Sequence, residues 1–290
     1  MRVPDSFFQA RSMTALRKSR AAYLDAQEQA LTGRRVSKPS EDPLAIGRAR
    51  SFQDRKRRAD NHERAGGFAT SRLQVMDSAV GELENLMARA REIGIQALND
   101  TLNASDRADL AGEVDELVAH MRALADTREG DKYIFSGLSS DVAPLDGTGA
   151  YQGSAEVQEI EVAPGVRVPL GITAADVFAN PSANAYSALE GLATALRAND
   201  KAAMNTQTGE VINAGNLVSD MRAQIGAHQT SVDIAANVVS NNSLIAIENF
   251  EREVSADAFE AFSALSQAQS ALTAAVEIAA QLPLPGLVGR

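Results

Sequence analysis

Apolar residues recur at alternating intervals of three and four positions through much of the chain, which is the spacing of an amphipathic helix. The clearest series consists of Leu73, Met76, Val80, Leu83, Met87 and Ala90, with Leu86 and Ile93 beside it. A stripe of this width is typical of a helix in a bundle, because a two-stranded coiled coil needs a narrower one. We predict that the stripe is buried against 105–126 and 208–250, which have the same period.

The same reasoning predicts helices at both ends of the chain. The N-terminal helix covers 5–32 and ends at Gly33. Its apolar stripe is sparse and consists of Met13, Leu16, Tyr23, Leu24 and Leu31. Toward the C-terminus the helical pattern returns at 185–198, and it then runs from about 208 to 281 with little interruption.

Polar residues mark where the internal helices begin. Asp42 followed by Pro43 is a favourable N-cap and first position for the helix that carries the main stripe. After the polar turn that ends this helix, Ser105 or Asp106 is predicted to cap the next one, which reaches about Asp126.

The pattern changes in the middle of the chain. The sequence DKYIFSG at 131–137 indicates a strand through 133–135, and VQEIEVAPGVRVPLGI at 157–172 predicts two short strands that turn at Pro164-Gly165. We therefore predict a mainly α fold: an elongated bundle of N- and C-terminal helices with a β-hairpin and a small β-containing insert.

Composition supports thin helix-on-helix packing. Only 4% of the residues are aromatic and there is no Trp. Since large side chains are scarce and Ala is frequent, the helices are expected to meet along seams of small residues.

The charge is divided unevenly along the chain. Residues 1–58 carry 14 Lys and Arg against 6 Asp and Glu, although the whole chain has a net charge of −10. Either these charges are ordinary solvated helix faces, or oppositely charged regions of the same or neighbouring subunits lie side by side. The acidic total argues against nucleic acid as the main partner.

The sequence offers no catalytic constellation. It has no cysteine, and His62, His120 and His228 lie far apart without metal-ligand spacing. The DGTG turn at 146–149 lacks the context of a nucleotide-binding loop. We predict no enzyme activity, no cofactor and no metal. We also expect no membrane span and no secretory signal, because no apolar run is long enough.

The helices at both ends have apolar stripes but little to bury against locally. Such a helix must find a partner, either the other end of the chain or another copy. This predicts a protein that assembles. The loop GRRVSKPSEDPLA at 33–45 interrupts the helical pattern with dense charge and two prolines, which limit its backbone freedom.

Five stretches resemble, in order, the flagellin-related family of hook-associated proteins found at the hook–filament junction of bacterial flagella, the FlgL family. They are GRRVSKPSEDPLAIGRA (33–49), RAREIGIQALNDTLNASDRADLAGEVDEL (89–117), DKYIFSG (131–137), YQGSAEVQEIEV with GVRVPLGITAADVF (151–178), and NNSLIAIENFEREVSADAFEAFSALSQAQSALTAAVEI (241–278).

Flagellin itself is the near alternative. Its segment after the loop usually reads Asp-Asp-Ala-Ala, whereas this chain has Glu41-Asp42-Pro43-Leu44-Ala45. The tail LPLPGLVGR departs from the more leucine-rich helix with which members of the family commonly end. An alternative from another class is a soluble coiled-coil enzyme or regulator.

The resemblance implies three domains. Residues 1–42 with 251–290 form an inner domain of terminal helices with the linker loop, and we expect these termini to be disordered in the free monomer. Residues 43–137 with 205–250 form the helical bundle, and 138–204 form a small outer domain that contains β-strands.

The resemblance also implies a role in motility: a secreted structural adaptor that joins the hook to the filament by self-assembly into a junction ring. Its expected partners are other copies, the hook-side hook-associated protein, flagellin and an export chaperone, with no nucleic acid and no membrane. It would be extracellular, in the flagellum, after export by the flagellar type III route without a cleaved signal. The candidate interface residues are Arg34, Arg35, Lys38, Glu41, Asp42, Phe262, Leu265 and Leu272. The alternative for the loop is an exposed linker.

Overall fold

The computed structural model describes the backbone of residues 5–281 and the side chains of 10–280. The helices are α1 (Asp5–Thr32), α2 (Pro43–Ala97), α3 (Ala104–Ala125), α4 (Ala174–Val177), α5 (Ala185–Arg197), α6 (Lys201–Val254) and α7 (Ala258–Gln281). The strands are β1 (Arg128–Glu129), β2 (Lys132–Tyr133), β3 (Glu159–Ala163) and β4 (Val166–Pro169). The LPLPGLVGR tail at 282–290 lies outside the described residues.

The chain divides into two compact units. Unit 1 contains the residues up to Arg58 and those from Asn242 onward, and unit 2 contains Ala59–Asn241. The long helices α2 and α6 contribute residues to both units. The mainly α fold with small β-hairpins is confirmed, whereas the three-domain division stays a prediction.

The apolar stripe of α2 forms the centre of unit 2, as predicted. Its members Leu73, Val80 and Leu83 have no solvent-accessible surface. On one side Gly215 of α6 packs against Met87, and buried residues of α3 extend the same core. Because this stripe lies between helices, unit 2 has one continuous apolar interior.

An ion-pair network aligns α2 with α6 beside this core. The guanidinium of Arg222 lies over Gly81 and donates to Asp77, with Nε 3.0 Å from Oδ1, and to Glu84, with Nη1 2.8 Å from Oε2. A hydrogen bond from Ser219, followed by those from Arg222, holds the pKa of Glu84 below its usual value. The network fixes the relative register of the two helices at this level.

The start of α3 differs from the sequence prediction. Asn103, not Ser105 or Asp106, is the N-cap, since its side chain accepts from the amides of both of those residues. The Asp106 carboxylate accepts from the Asn103 amide in return and closes a capping box. The predicted end of this helix is confirmed, because Asp126 is its C-cap.

Two short antiparallel hairpins make up the β structure. β1 pairs with β2, and β3 pairs with β4 around Gly165 with an irregularity between Glu161 and Ala163. The second hairpin was predicted correctly. In the first, the strand ends at Tyr133, so the predicted continuation was wrong. Ile134 and Phe135 are buried in the core instead.

Aromatic rings pack the segments around the two hairpins against one another and against α5. Phe135 meets Phe178 edge to face, with ring centroids 5.3 Å apart. Tyr186 of α5 is buried, and its ring occupies the space that a Cβ on Gly149 would take. Gly149 also has a positive φ of 79°, so a side chain there would be both strained and in conflict with the ring.

In unit 1, α1 packs against α7. α1 ends as predicted at Gly33, which has a φ of 64° and donates its amide to the Gln29 carbonyl over 2.9 Å. The predicted C-terminal helix is divided: α6 begins earlier, at Lys201, and three residues from Ser255 to Asp257 separate it from α7. The Asp257 side chain caps α7 by accepting from the amides of Phe259 and Glu260.

We expect Leu83→Ala to lower the free energy of unfolding by ~2–5 kcal/mol, because it removes a fully buried side chain from a closely packed stripe. Leu44→Ala is the matched control, since Leu44 lies on the same helix but is 74% exposed. Urea unfolding followed by circular dichroism measures both variants. An equal decrease in the free energy of unfolding for the two variants would show that burial of the stripe does not stabilise unit 2.

Candidate subunit interface

The linker loop that follows α1 is bound to the segment between α6 and α7. Arg34 and Ser255 form an antiparallel bridge. The Arg35 amide donates to the Val254 carbonyl over 2.7 Å, and the Ala256 amide donates to the Gly33 carbonyl over 2.9 Å. The chain connections that enter and leave the α1/α7 pair are therefore held side by side by backbone hydrogen bonds.

Carboxylates fold the loop back on itself. Oε2 of Glu41 accepts from the amides of Ser37 and Lys38, at 2.9 and 3.1 Å. Glu28 at the end of α1 accepts from the Ser37 hydroxyl and the Lys38 ammonium, each at 3.0 Å. These exposed contacts contribute little to stability singly, but together they define one loop conformation.

These bonds change the acidity of both carboxyl groups. The hydrogen bond from Lys38, followed by that from Ser37, holds the pKa of Glu28 below its ordinary value of 4.5. The amides of Ser37 and Lys38 do the same for the pKa of Glu41. Since both values are lowered, the contacts contribute fully above pH 4.5 and are lost as the pH falls through the lowered pKa values.

Two arginines attach the loop and α2 to the end of α6. Arg48 binds the Glu253 carboxylate with both Nε and Nη2 at 2.9 Å, a bidentate geometry. Arg35 donates to the Glu253 carbonyl over 2.9 Å and lies 3.9 Å from Asp42. The predicted cap is confirmed, because Oδ1 of Asp42 accepts from the Ala45 amide over 2.9 Å.

The structure thus brings the predicted loop residues together, but most of them already have partners within the chain. Arg35, Lys38, Glu41 and Asp42 all make the contacts described above. Arg34 is exposed, and its side chain makes no ion pair or hydrogen bond with residues 10–280, whose side chains the structure describes. A role of this loop between subunits stays a prediction, and Arg34 is the member most available for it.

The α1/α7 pair meets along a seam of mostly small residues. Positions shielded from solvent recur at intervals of three and four in both helices. They are Ser12, Leu16, Ser19, Tyr23, Ala26 and Ala30 in α1, and Ala261, Leu265, Ala268, Leu272, Ala275 and Ala279 in α7. Leu265 and Leu272 therefore lie on the seam face, half-buried within the chain, and their predicted role between subunits would compete with this packing.

Larger apolar side chains lie outside the seam. Phe259 is 83% exposed, Phe262 is 62% exposed and Ile278 is 60% exposed on α7. On α1, Leu24 and Leu31 are also exposed, so the stripe predicted there is only partly correct. Residues 261–276 contain no charged residue, so the outer side of α7 combines these apolar side chains with uncharged polar ones such as Gln267 and Gln269. A helix of this kind requires more apolar cover than a single partner provides.

Two histidines that lie outside the loop and the α1/α7 pair make ordinary structural contacts. The ring of His62 lies 3.3 Å from the Glu161 carbonyl, and burial lowers the pKa of His228. Within the described ranges no group of three His, Cys, Asp or Glu residues could hold a metal ion. None of the helices between residues 5 and 281 is long and apolar enough to span a bilayer.

Two features of the surface were missed from the sequence: the Arg48–Glu253 pair and the break at Ser255. The pair joins residues 205 positions apart, so no local pattern could have indicated it. The break had a signal, because Ser-Ala-Asp before an apolar run is a typical helix start.

Comparison with known proteins gives consistent similarities. Residues 6–140 match the family described as the bacterial flagellin N-terminal helical region. The chain is 28% identical over 193 residues to flagellar hook-associated protein 3 of Salmonella typhimurium, covering 66% of this chain and 61% of that protein. It is 29% identical over 196 residues to flagellar hook-associated protein 3 of Escherichia coli, covering 67% of this chain and 62% of that protein. The chain thus spans about three fifths of the length of these relatives.

Solved structures share the fold at low sequence identity. The Bacillus cereus FlgL structure has a TM-score of 0.61 at 16% identity and covers 69% of this chain and 99% of that one. The flagellar junction protein FlgL from Legionella pneumophila has a TM-score of 0.61 at 16% identity and covers 72% of this chain and 100% of that one.

The fold and the family match together support a flagellin-related protein. The curated relatives support, within that class, the hook-associated FlgL type. The resemblance drawn from the sequence motifs is confirmed.

We expect Lys38→Met to raise the pKa of Glu28 toward 4.5, because it removes the largest contribution to the lowered value. The pKa of Glu41 should stay lowered, since it depends first on backbone amides. Carboxyl-carbon NMR titration of both residues measures the effect, with Lys18→Met on α1 as the control. An unchanged Glu28 midpoint in Lys38→Met would contradict the loop geometry.

Proposed function

We propose that this protein is a structural subunit of the bacterial flagellum that joins the hook to the filament by assembling with copies of itself. The observation that carries this proposal is the outer surface of α7, where Phe259, Phe262 and Ile278 are exposed on a helix that already packs against α1. The similarity to hook-associated protein 3 supports the hook–filament junction as the place where this subunit assembles.

Energetics favour assembly over a self-sufficient helix pair. Fixing the backbone costs roughly 1–2 kcal/mol per residue, and burial of an Ala or Ser side chain offsets little of it. The α1/α7 seam consists largely of such residues. Cover for the outer faces, supplied by neighbouring subunits, adds the apolar burial that the isolated pair lacks.

Other copies are the first partners that we propose. The junction position adds a hook-side hook-associated protein and flagellin as axial neighbours, and the exposed apolar side chains of α1 and α7 suit a dedicated export chaperone before type III export. The site of action is then extracellular, in the flagellum. A flagellar structural role favours a non-enzymatic protein.

The linker loop suits a subunit that assembles, because it is a stiff connection on which the Arg34 side chain is exposed. Its backbone bonds to Val254 and Ala256 hold the α1/α7 pair at a defined place in unit 1. The guanidinium of Arg34 is available to a carboxylate on a neighbouring subunit. The prediction that residues 1–32 and 251–290 become ordered on assembly belongs to the same proposal.

Deletion of the gene in the source bacterium, followed by complementation, tests the junction role. We expect the deletion strain to lack attached filaments and to release flagellin, and we expect the wild-type chain to restore attachment. Immunogold labelling should place the chain only where hook and filament meet. Label along the whole filament would instead identify a flagellin-type subunit.

The same complementation assay includes two charge reversals. Arg34→Glu should leave the thermal midpoint of the purified protein unchanged and should reduce filament attachment. Arg167→Glu, on the exposed β4 strand of unit 2, is the matched control. Full motility with Arg34→Glu would leave the loop as a linker without an interface role.

Hydrogen exchange on the verified monomer tests ordering on assembly. We expect amides in 5–32 and 255–280 to exchange with little protection, because the α1/α7 seam consists mostly of small side chains that bury little apolar surface. Amides in 73–98 should be protected by the buried stripe. Mass spectrometry of peptides from the two regions gives the comparison. Strong protection of both termini would show that the helix pair is stable without neighbours.

A further inference from the structure

A small cavity lies in unit 2 between α2 and the segments that flank the second hairpin. Its volume is about 10 Å³, and its lining includes Arg72 and Met76 of α2 together with Gly137, Gly171 and Ile172. A cavity of on the order of 10–15 Å³ is the smallest that holds a water molecule. The space therefore suits one water and no larger ligand.

The cavity wall contains a charged side chain with an unused donor. Arg72 retains only 9% of its accessible surface, and its Nη1 donates to the Glu129 carboxylate over 3.2 Å. Its Nε is fully buried and has no hydrogen-bond partner in the protein. A buried guanidinium N–H without an acceptor is costly, so an acceptor in this cavity would stabilise the fold.

The backbone on the opposite wall has unused groups as well. Gly171 and Ile172 are both buried, yet their amide and carbonyl groups make no hydrogen bond within the described part of the chain. The amides on either side are paired: the Leu170 amide donates to the Gln158 carbonyl, and the Thr173 amide donates to Asp176. Buried backbone groups in folded proteins are rarely left unpaired.

Gly171 is fixed where it is. It has a φ of 145°, and a Cβ on it would lie 2.1 Å from the sulfur of Met76. Since Met76 belongs to the main apolar stripe, the backbone at this glycine is pressed against α2 and cannot turn to find a partner elsewhere. The guanidinium and the unpaired backbone thus both belong to residues that line the same small cavity.

We propose that this cavity binds one structural water molecule, which accepts a hydrogen bond from Arg72 Nε and bridges it to the backbone at Gly171 or Ile172. A buried water typically makes two to four such bonds. The water joins α2 to the chain that leaves β4, and so completes the attachment of the second hairpin region to the bundle. This inference concerns unit 2 alone and does not depend on the proposed function.

A crystal structure of the wild-type protein, with a second crystal soaked in bromide, tests the site directly. We expect one ordered water within hydrogen-bond distance of Arg72 Nε and of the backbone at Gly171 or Ile172, and no anomalous signal from bromide there. A collapsed cavity without density, or bromide in it, would overturn the proposal.

Magnetic relaxation dispersion of solvent oxygen-17 supplies the solution measurement, because it counts long-lived internal waters. Arg72→Met removes the donor and should lower the count by one per chain, whereas Arg91→Met, which removes an exposed guanidinium from the same helix, should leave it unchanged. Val157 also lines the cavity, so Val157→Leu is a second variant that fills the space and keeps Arg72, and it should also remove one water. An unchanged count in a folded Val157→Leu protein would contradict the site.

Discussion

The burial of the α2 stripe is the constraint on which the rest of unit 2 depends. A helix with apolar residues at Leu73, Val80 and Leu83 must cover them, and the segments with the same period are the elements that do so. Once α3 and α6 pack there, the polar residues at the edges of the stripe meet their partners. The Arg222 network with Asp77 and Glu84 is an example, because it forms only when α2 and α6 are in register.

Close backbone approach is the second consequence of that packing. Gly94 lies under Thr208, Gly149 lies under Tyr186, and Gly171 lies under Met76, so in each case a side chain occupies the position of a missing Cβ. The first contact joins α2 to α6, and the other two connect the β-containing part of unit 2 to α5 and α2. They explain how a chain with few aromatic residues still builds a closely packed interior.

Unit 1 is organised differently. Its linker is held by backbone bonds between residues 33–36 and 254–256 and by the Arg48–Glu253 pair, so its connections are well defined. Its helix pair, by contrast, meets along small residues and leaves Phe259 and Phe262 uncovered. A rigid connection that carries a helix pair with exposed apolar faces is suited to a subunit of an assembly, which is the role proposed for it.

The sequence by itself determined the helices, because their periodicity is local: the α2 stripe, the end of α1 at Gly33, the Asp42–Pro43 start and the second hairpin all agree with the structure. Its motifs also indicated the flagellin-related class. Tertiary structure decided what distant residues do. Asn103 replaces the predicted caps of α3, since several polar residues compete there and only the final backbone selects one. Leu265 and Leu272 lie on the face that packs against α1 while Phe262 stays exposed, because which apolar residues of this helix are covered depends on a neighbour far away in sequence. For the same reason the sequence could not show that the adjacent residues Arg34 and Arg35 behave differently. Arg35 donates to the Glu253 carbonyl, whereas Arg34 is exposed to solvent.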